Sequence, residues 1–217
     1  MSERKEADMK VFVAGATGRV GKELVQRLEE RGHLVYAAAR ASDEITATDL
    51  VRPIHLDLHE GVEHLAGLFE DAEAVVFVAG SRGKDLLQTD LFGAVKLMQA
   101  AEQKGISRFI QLSSVFALQP EKWEGSPILN YNIAKYFSDS WLIRNTGLQY
   151  TILQPGTLEE TPGSGKIDVD VAEPGVNSIE NVAEVLACIL EDDNTIGKVI
   201  IMKDGETPIK DALAELE

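Results

Sequence analysis

Along the chain, short apolar runs alternate with longer stretches in which apolar residues recur at helical spacing. The short runs read as strands and the long ones as amphipathic helices, and regular alternation of the two implies βαβ units feeding a parallel sheet. Strands are expected over residues 10–15, 34–39, 53–58, 74–79, 107–112, 148–153 and 198–203. Most are rich in Val, Ile and Phe and lack a polar alternate face, so both faces of the sheet must be covered. The helices to cover them are expected over residues 20–31, 62–69, 86–104, 131–146, 179–191 and 209–216. In the fourth, Ile133, Phe137, Trp141 and Ile143 keep near-helical spacing and mark one apolar side, on which Trp141 is expected to pack into the core. The fold class is α/β, a doubly wound, mostly parallel seven-stranded sheet. Segment 155–175 breaks the rhythm with three prolines, four glycines and a run of acidic residues, leaving little room for regular structure. It reads equally as a lid or as an acidic loop without a role.

With 217 residues, 44% hydrophobic and 26% charged, the chain has enough apolar material for one core. A single domain is expected over 9–217, after a disordered segment 1–8. The formal charge of −15 opposes binding to phosphate backbones or anionic membranes. The charged first ten residues carry no apolar signal stretch, and no run approaches a membrane span. The single cysteine, Cys188, lies in an apolar run and reads as a buried small hydrophobe; one cysteine and no signal fit the cytoplasm.

The strongest local signal is Gly15-Ala16-Thr17-Gly18-Arg19-Val20-Gly21, which follows the first strand and opens the first helix. Three glycines so spaced let the chain turn tightly, let backbone N–H groups approach a pyrophosphate, and let the helix lie against its strand with its N-terminus facing the anion. A P-loop is excluded by spacing, and Glu23 stands where a Mg²⁺-binding hydroxyl belongs. The second strand ends at Arg40 rather than at the Asp or Glu that holds an NAD ribose, so NADP(H) is favoured over NAD(H), with Arg19 approaching the same 2′-phosphate. Asp57 and Leu58, then Ala79, Gly80 and Ser81, stand at strand C-termini, where adenosine would lie.

The catalytic candidates are Tyr131 and Lys135, four apart on one helical face, downstream of a strand ending in Ser113 and Ser114. A cation beside a tyrosine favours the phenolate and brings its pKa toward use in proton transfer. A serine hydroxyl can bond a substrate carbonyl and the developing alkoxide. His55, His59 and His64 lie close together without zinc-site spacing, and Asp192-Asp193-Asn194 lacks the glycine and glutamate of a calcium loop, so no metal is expected. Trp123 is a candidate for shaping a substrate pocket.

Taken together, the glycine turn, Asp90-Leu91-Phe92-Gly93, Arg108 to Ser114, Tyr131-Asn132-Ile133-Ala134-Lys135, Tyr150 to Gly156 and Asn181-Val182-Ala183 resemble the short-chain dehydrogenase/reductase superfamily. The closest likeness is to its compact, atypical branch of epimerase/dehydratase-like and NmrA-like proteins, over nearly the whole chain. The resemblance implies a Rossmann-like sheet with a small C-terminal substrate cap, a nicotinamide cofactor, and a Ser/Tyr/Lys site with Tyr131 as acid/base. It further implies that Lys135 binds the nicotinamide ribose and that Pro155 and Gly156 flank the nicotinamide. Asp90 stands where many relatives carry a relay asparagine, and Ser114 precedes Tyr131 by an unusual interval, so either Ser113 or Ser114 is the working hydroxyl. The expected function is NADP(H)-dependent reduction of a small carbonyl substrate by a monomer or homodimer. The alternatives are a non-catalytic NADP(H) sensor and a nucleotide-sugar epimerase or dehydratase.

Overall fold

The computed structural model describes residues 9–216; the segment 1–8 expected to be disordered lies outside them. Strands β1 (Lys10–Ala14), β2 (Leu34–Ala39), β3 (Val51–His55), β4 (Ala74–Phe77), β5 (Arg108–Leu112), β6 (Gln149–Pro155) and β10 (Lys198–Asp204) correspond to the seven expected. They pair in parallel in the order β3-β2-β1-β4-β5-β6-β10. Two further strands, β8 (Lys166–Val169) and β11 (Thr207–Pro208), extend the sheet to nine, with β8 antiparallel to both β10 and β11. A separate parallel pair joins β7 (Thr157–Glu159) to β9 (Val176–Ser178).

Segment 155–175, expected to hold little regular structure, therefore contains β7 and β8. What the local composition hides is Ile167, fully buried beside β10, whose burial and ladder bonds outweigh the surrounding glycines and acids. The third strand starts earlier than expected and carries Pro53. That is tolerated because β3 is the sheet edge and lacks an outer partner for the missing N–H.

Alternate strand residues feed two cores. Val11, Val13, Val35, Ala37 and Val76 face α1 (Arg19–Glu30), α5 (Ile179–Glu191) and α6 (Ile209–Ala214). Phe12, Ala14, Tyr36, Ala38, Val75 and Phe77 face α2 (Val62–Gly67), α3 (Ala94–Lys104) and α4 (Leu129–Asn145). Period-two alternation thus sends each strand's neighbours to opposite cores, as a doubly covered sheet requires. The expected helix 86–104 opens as a π-helical segment, Leu86–Gly93, before α3 begins.

The fourth helix overturns one expectation. Ile133, Phe137 and Trp141 are exposed, Phe137 by 55% and Trp141 by 37%. The buried side of α4 is Asn132, Ala134, Lys135, Ser138, Asp139 and Leu142. The apolar stripe misleads because the inward face carries polar groups that bond partners on and beside β5 and β6.

At the start of β5, Arg108 lies buried without a carboxylate partner among the described residues. Its guanidinium donates to the Gln149 and Ile189 carbonyls and to the hydroxyls of Thr151 and Thr195, all at 2.9–3.0 Å. Burial lowers its pKa to about 10 against the weak pull of Asp193 and Asp192. Arg108→Ala will strip these acceptors of their donor and lower stability by about 3 kcal/mol, read from denaturant midpoints.

Candidate active site

The sheet order creates the site. The chain passes from β1 out to β3 on one side, then crosses back to β4 on the other, so a crevice opens beyond the C-terminal ends of β1 and β4. A cleft of about 880 Å³ occupies this place. Its floor is the glycine turn, where Gly15 takes φ +100° and donates its N–H to the Ala38 carbonyl at 2.8 Å. Gly18 donates to the Gly15 carbonyl at 2.9 Å, and a Cβ on Gly21 would sit 2.1 Å from that same oxygen. Helix α1 starts immediately after Gly18 with no acidic residue in its first turn, so its unpaired N–H groups and dipole favour an anion in the cleft.

Most expected site residues line this one cleft: Gly15, Thr17, Gly18, Arg19, Val20, Arg40, Asp57, Leu58, Ala79, Gly80, Ser113, Ser114, Tyr131, Lys135, Pro155 and Gly156. Three of them do not. Ala16 is buried and donates its N–H to Ala38, Gly21 lies beneath Gly15, and Ser81 turns inward. The Ser81 hydroxyl accepts the Asp85 N–H at 3.0 Å, while its own N–H donates to the fully buried Asp90 carboxylate at 3.1 Å. The cleft also takes in Arg82, Thr89, Ile128, Thr157 and Leu158, which periodicity and motifs did not single out. Arg82 has φ +54°, a conformation with a steric cost outside glycine, and the small-residue run Gly80 to Gly83 at a strand end was its faint signal.

At one end of the cleft, Arg40 is exposed and contributes to holding the Asp85 carboxyl below the usual range, after the Thr89 hydroxyl and His59. His59 pairs with Asp85 at 2.6 Å rather than with His55 or His64, and the Asp57 Oδ1 accepts the His59 N–H at 2.9 Å. Arg19 stands 3.8 Å from Glu160 across the cleft mouth, a contact from segment 155–175.

At the opposite end, Tyr131 and Lys135 project from the first two turns of α4. The Lys135 ammonium is almost wholly buried and donates to the Leu112 carbonyl at 2.9 Å, 5.7 Å from the centre of the Tyr131 ring. Here the structure departs from expectation. Burial raises the Tyr131 pKa, Lys135 opposes it incompletely, and Asp90 and Asp139 add to the rise. The two serines differ as well. Ser113 donates its hydroxyl to Asp139 at 2.6 Å, whereas among the described residues the Ser114 hydroxyl has no side-chain partner and lines the cleft. Trp123 donates its indole N–H to the Phe116 carbonyl at 2.9 Å, clamping the left-handed turn (φ +56°) just past Ser114.

The family model of NAD(P)H-binding proteins matches residues 15–193. A crystal structure of the oxidoreductase ylbE from Lactococcus lactis superposes with a TM-score of 0.93 at 44% identity, covering 96% of each chain. A Bacillus subtilis (strain 168) protein named as an uncharacterized sugar epimerase, YhfK, is 32% identical over 96% of this chain and 100% of its own. The fold alone is shared with a short-chain dehydrogenase/reductase from Veillonella parvula solved with NADP, at 19% identity, a TM-score of 0.74, and coverage of 92% and 96%. Among the described residues no helix is long and apolar enough to cross a membrane.

Proposed function

We propose that the chain, which belongs to the NAD(P)H-binding family, works as an NADP(H)-dependent reductase of a small carbonyl compound, of the short-chain dehydrogenase/reductase type. The observation that carries this reading is the shared cleft, with a glycine-floored anion site at one end and Tyr131, Lys135 and a free serine hydroxyl at the other. The glycine turn fits a pyrophosphate because the places where Cβ atoms would stand on Gly15 and Gly21 are already filled by backbone, and its donors face an acid-free helix start. Gly15, Thr17, Gly18 and Arg19 would hold the diphosphate, Arg40 the 2′-phosphate, and Lys135 the nicotinamide ribose. The bound nicotinamide supplies a hydride.

Tyr131 gives its proton to the carbonyl oxygen as the alkoxide develops, and its raised pKa keeps that proton in place through neutral pH. Ser114, unengaged by side chains, donates to the same oxygen and stabilises the growing negative charge. Lys135 places a fixed positive charge beside the phenol, favouring the phenolate left after transfer. The cap formed by segments 114–127 and 155–175 leaves room for a small substrate. In solution the uncharged stripe Ile133, Phe137 and Trp141 suits pairing of two subunits.

NADPH and NADH titrations followed by cofactor fluorescence, then NADPH oxidation against small aldehydes and ketones, test the reading. Saturable binding with net NADPH consumption is the expected result, and no saturable binding would overturn it. Arg40→Ala will weaken NADPH binding at least about tenfold, ~1.4 kcal/mol, and leave NADH binding unchanged. A second reading, sugar-nucleotide epimerisation, is favoured by the name of the Bacillus subtilis relative. It predicts product formation from a nucleoside diphosphate sugar without net cofactor consumption.

A further inference from the structure

Tyr131, Lys135 and Asp139 stand four apart on successive turns of α4, one stripe running from the cleft into the protein. Asp139 is completely buried, and no cation lies within ion-pair distance among the described residues. Neutral donors from two strands converge on it. Ser113, just past β5, donates to its Oδ2 at 2.6 Å, Gln154 of β6 donates to the same oxygen at 3.1 Å, and Gln111 of β5 donates to Oδ1. Both glutamines leave their buried carbonyl oxygens unpartnered in order to point N–H groups at Asp139. Burial pushes the Asp139 carboxyl above the usual carboxylate range, and Ser113, Lys135 and the two glutamines pull it back; such donors serve a carboxylate, not an apolar filler.

We propose that Asp139 is a positioning residue of the reductase site: it engages the Ser113 hydroxyl, leaving that of Ser114 as the unengaged one on the cleft, and it places a carboxylate behind the Lys135–Tyr131 pair. The inference rests on the reductase reading for its chemistry, but its geometry does not. The charges facing Tyr131 are Lys135 and Asp139 from its own helix and Asp90 from the π-helical segment, and the two carboxylates hold its proton on while Lys135 opposes them. The buried carboxylate therefore acts against Lys135, and the balance decides the pH at which Tyr131 ionises.

The test titrates tyrosinate absorbance in the full chain and in Asp139→Asn, each measured against its Tyr131→Phe derivative so that only Tyr131 is read. Asp139→Asn keeps the side chain's shape and removes its charge, so the Tyr131 midpoint is expected to move down by about one pH unit, a tenfold change in the ionisation equilibrium. NADPH affinity is expected to hold, because Asp139 does not line the cleft. Ser114→Ala is expected to lower kcat on the order of 10²-fold, and Ser113→Ala much less, since the Ser113 hydroxyl is committed to Asp139. An unmoved Tyr131 midpoint in a folded Asp139→Asn protein overturns the inference, as does a Ser113→Ala loss equal to that of Ser114→Ala. If Asp139→Asn fails to fold, the serine pair still decides. Failure of the reductase reading would show separately, as NADPH binding with no turnover in the unsubstituted protein.

Discussion

Tyr131→Phe will lower NADPH-dependent carbonyl reduction on the order of 10²–10⁴-fold while NADPH affinity stays unchanged. The substitution removes the phenolic oxygen and the proton that Tyr131 hands to the substrate, but it keeps the ring that packs beside Lys135. The loss should fall on kcat rather than on KM, since the missing interaction is made as charge develops. The pH dependence has a definite sign. Tyr131 works as an acid in its protonated form, and burial lifts its pKa above the ordinary tyrosine value. The reduction rate should thus be flat through neutral pH and fall only in the alkaline range, as pH rises through that raised pKa. A redox sensor without chemistry would keep its partner response in the same variant. Steady-state rates across pH, with cofactor titration alongside, check this.

The other large effect comes from a single methyl group. Gly21→Ala is expected to destabilise the protein by about 4 kcal/mol or more and to abolish NADPH binding. On helix propensity alone alanine is better than glycine by about 1 kcal/mol. At this position the sign reverses, because the new Cβ would lie 2.1 Å from the Gly15 carbonyl oxygen and 2.9 Å from Ala16 Cα. Both are backbone atoms of the turn that forms the anion site, so α1 must back away from β1 and its N-terminus must leave the cleft. At about 2–4 °C per kcal/mol for a chain of this size, the melting temperature should drop by roughly 10 °C. Gly67→Ala is the control. It is also helical, nothing stands within 4 Å of its Cβ position, and it should leave stability equal or slightly higher. If Gly21→Ala melts and binds as the unsubstituted protein does, the close-packing account of the turn is wrong.

The contrast between these glycines marks what was legible in the chain. The seven strands, the glycine turn and the separate candidates Arg40, Ser114, Tyr131 and Lys135 follow from patterns only a few residues long. An apolar run, a strand-turn-helix junction and a four-residue helical interval are local, and their geometry is set by φ/ψ and side-chain period alone. Arg82 enters the cleft from a loop and Leu158 from β7, whose positions depend on how distant elements pack, and β8 exists because Ile167 finds β10. Neither has a local cause.

Helix α4 shows the division most sharply. Its sequence displays an apolar stripe that by itself argues for burial, yet Phe137 and Trp141 face outward and Asp139 faces in. Spacing determined that Tyr131, Lys135 and Asp139 would share a face. Only the tertiary structure decided that this face, not the apolar one, would be pressed against β5 and β6, because Ser113, Gln111 and Gln154 supply the hydrogen bonds without which a buried carboxylate would be prohibitively costly. The chain's local periodicities thus determined its elements and their order, whereas the satisfaction of buried polar groups, a property of residues far apart in sequence, decided which face of α4 turned inward.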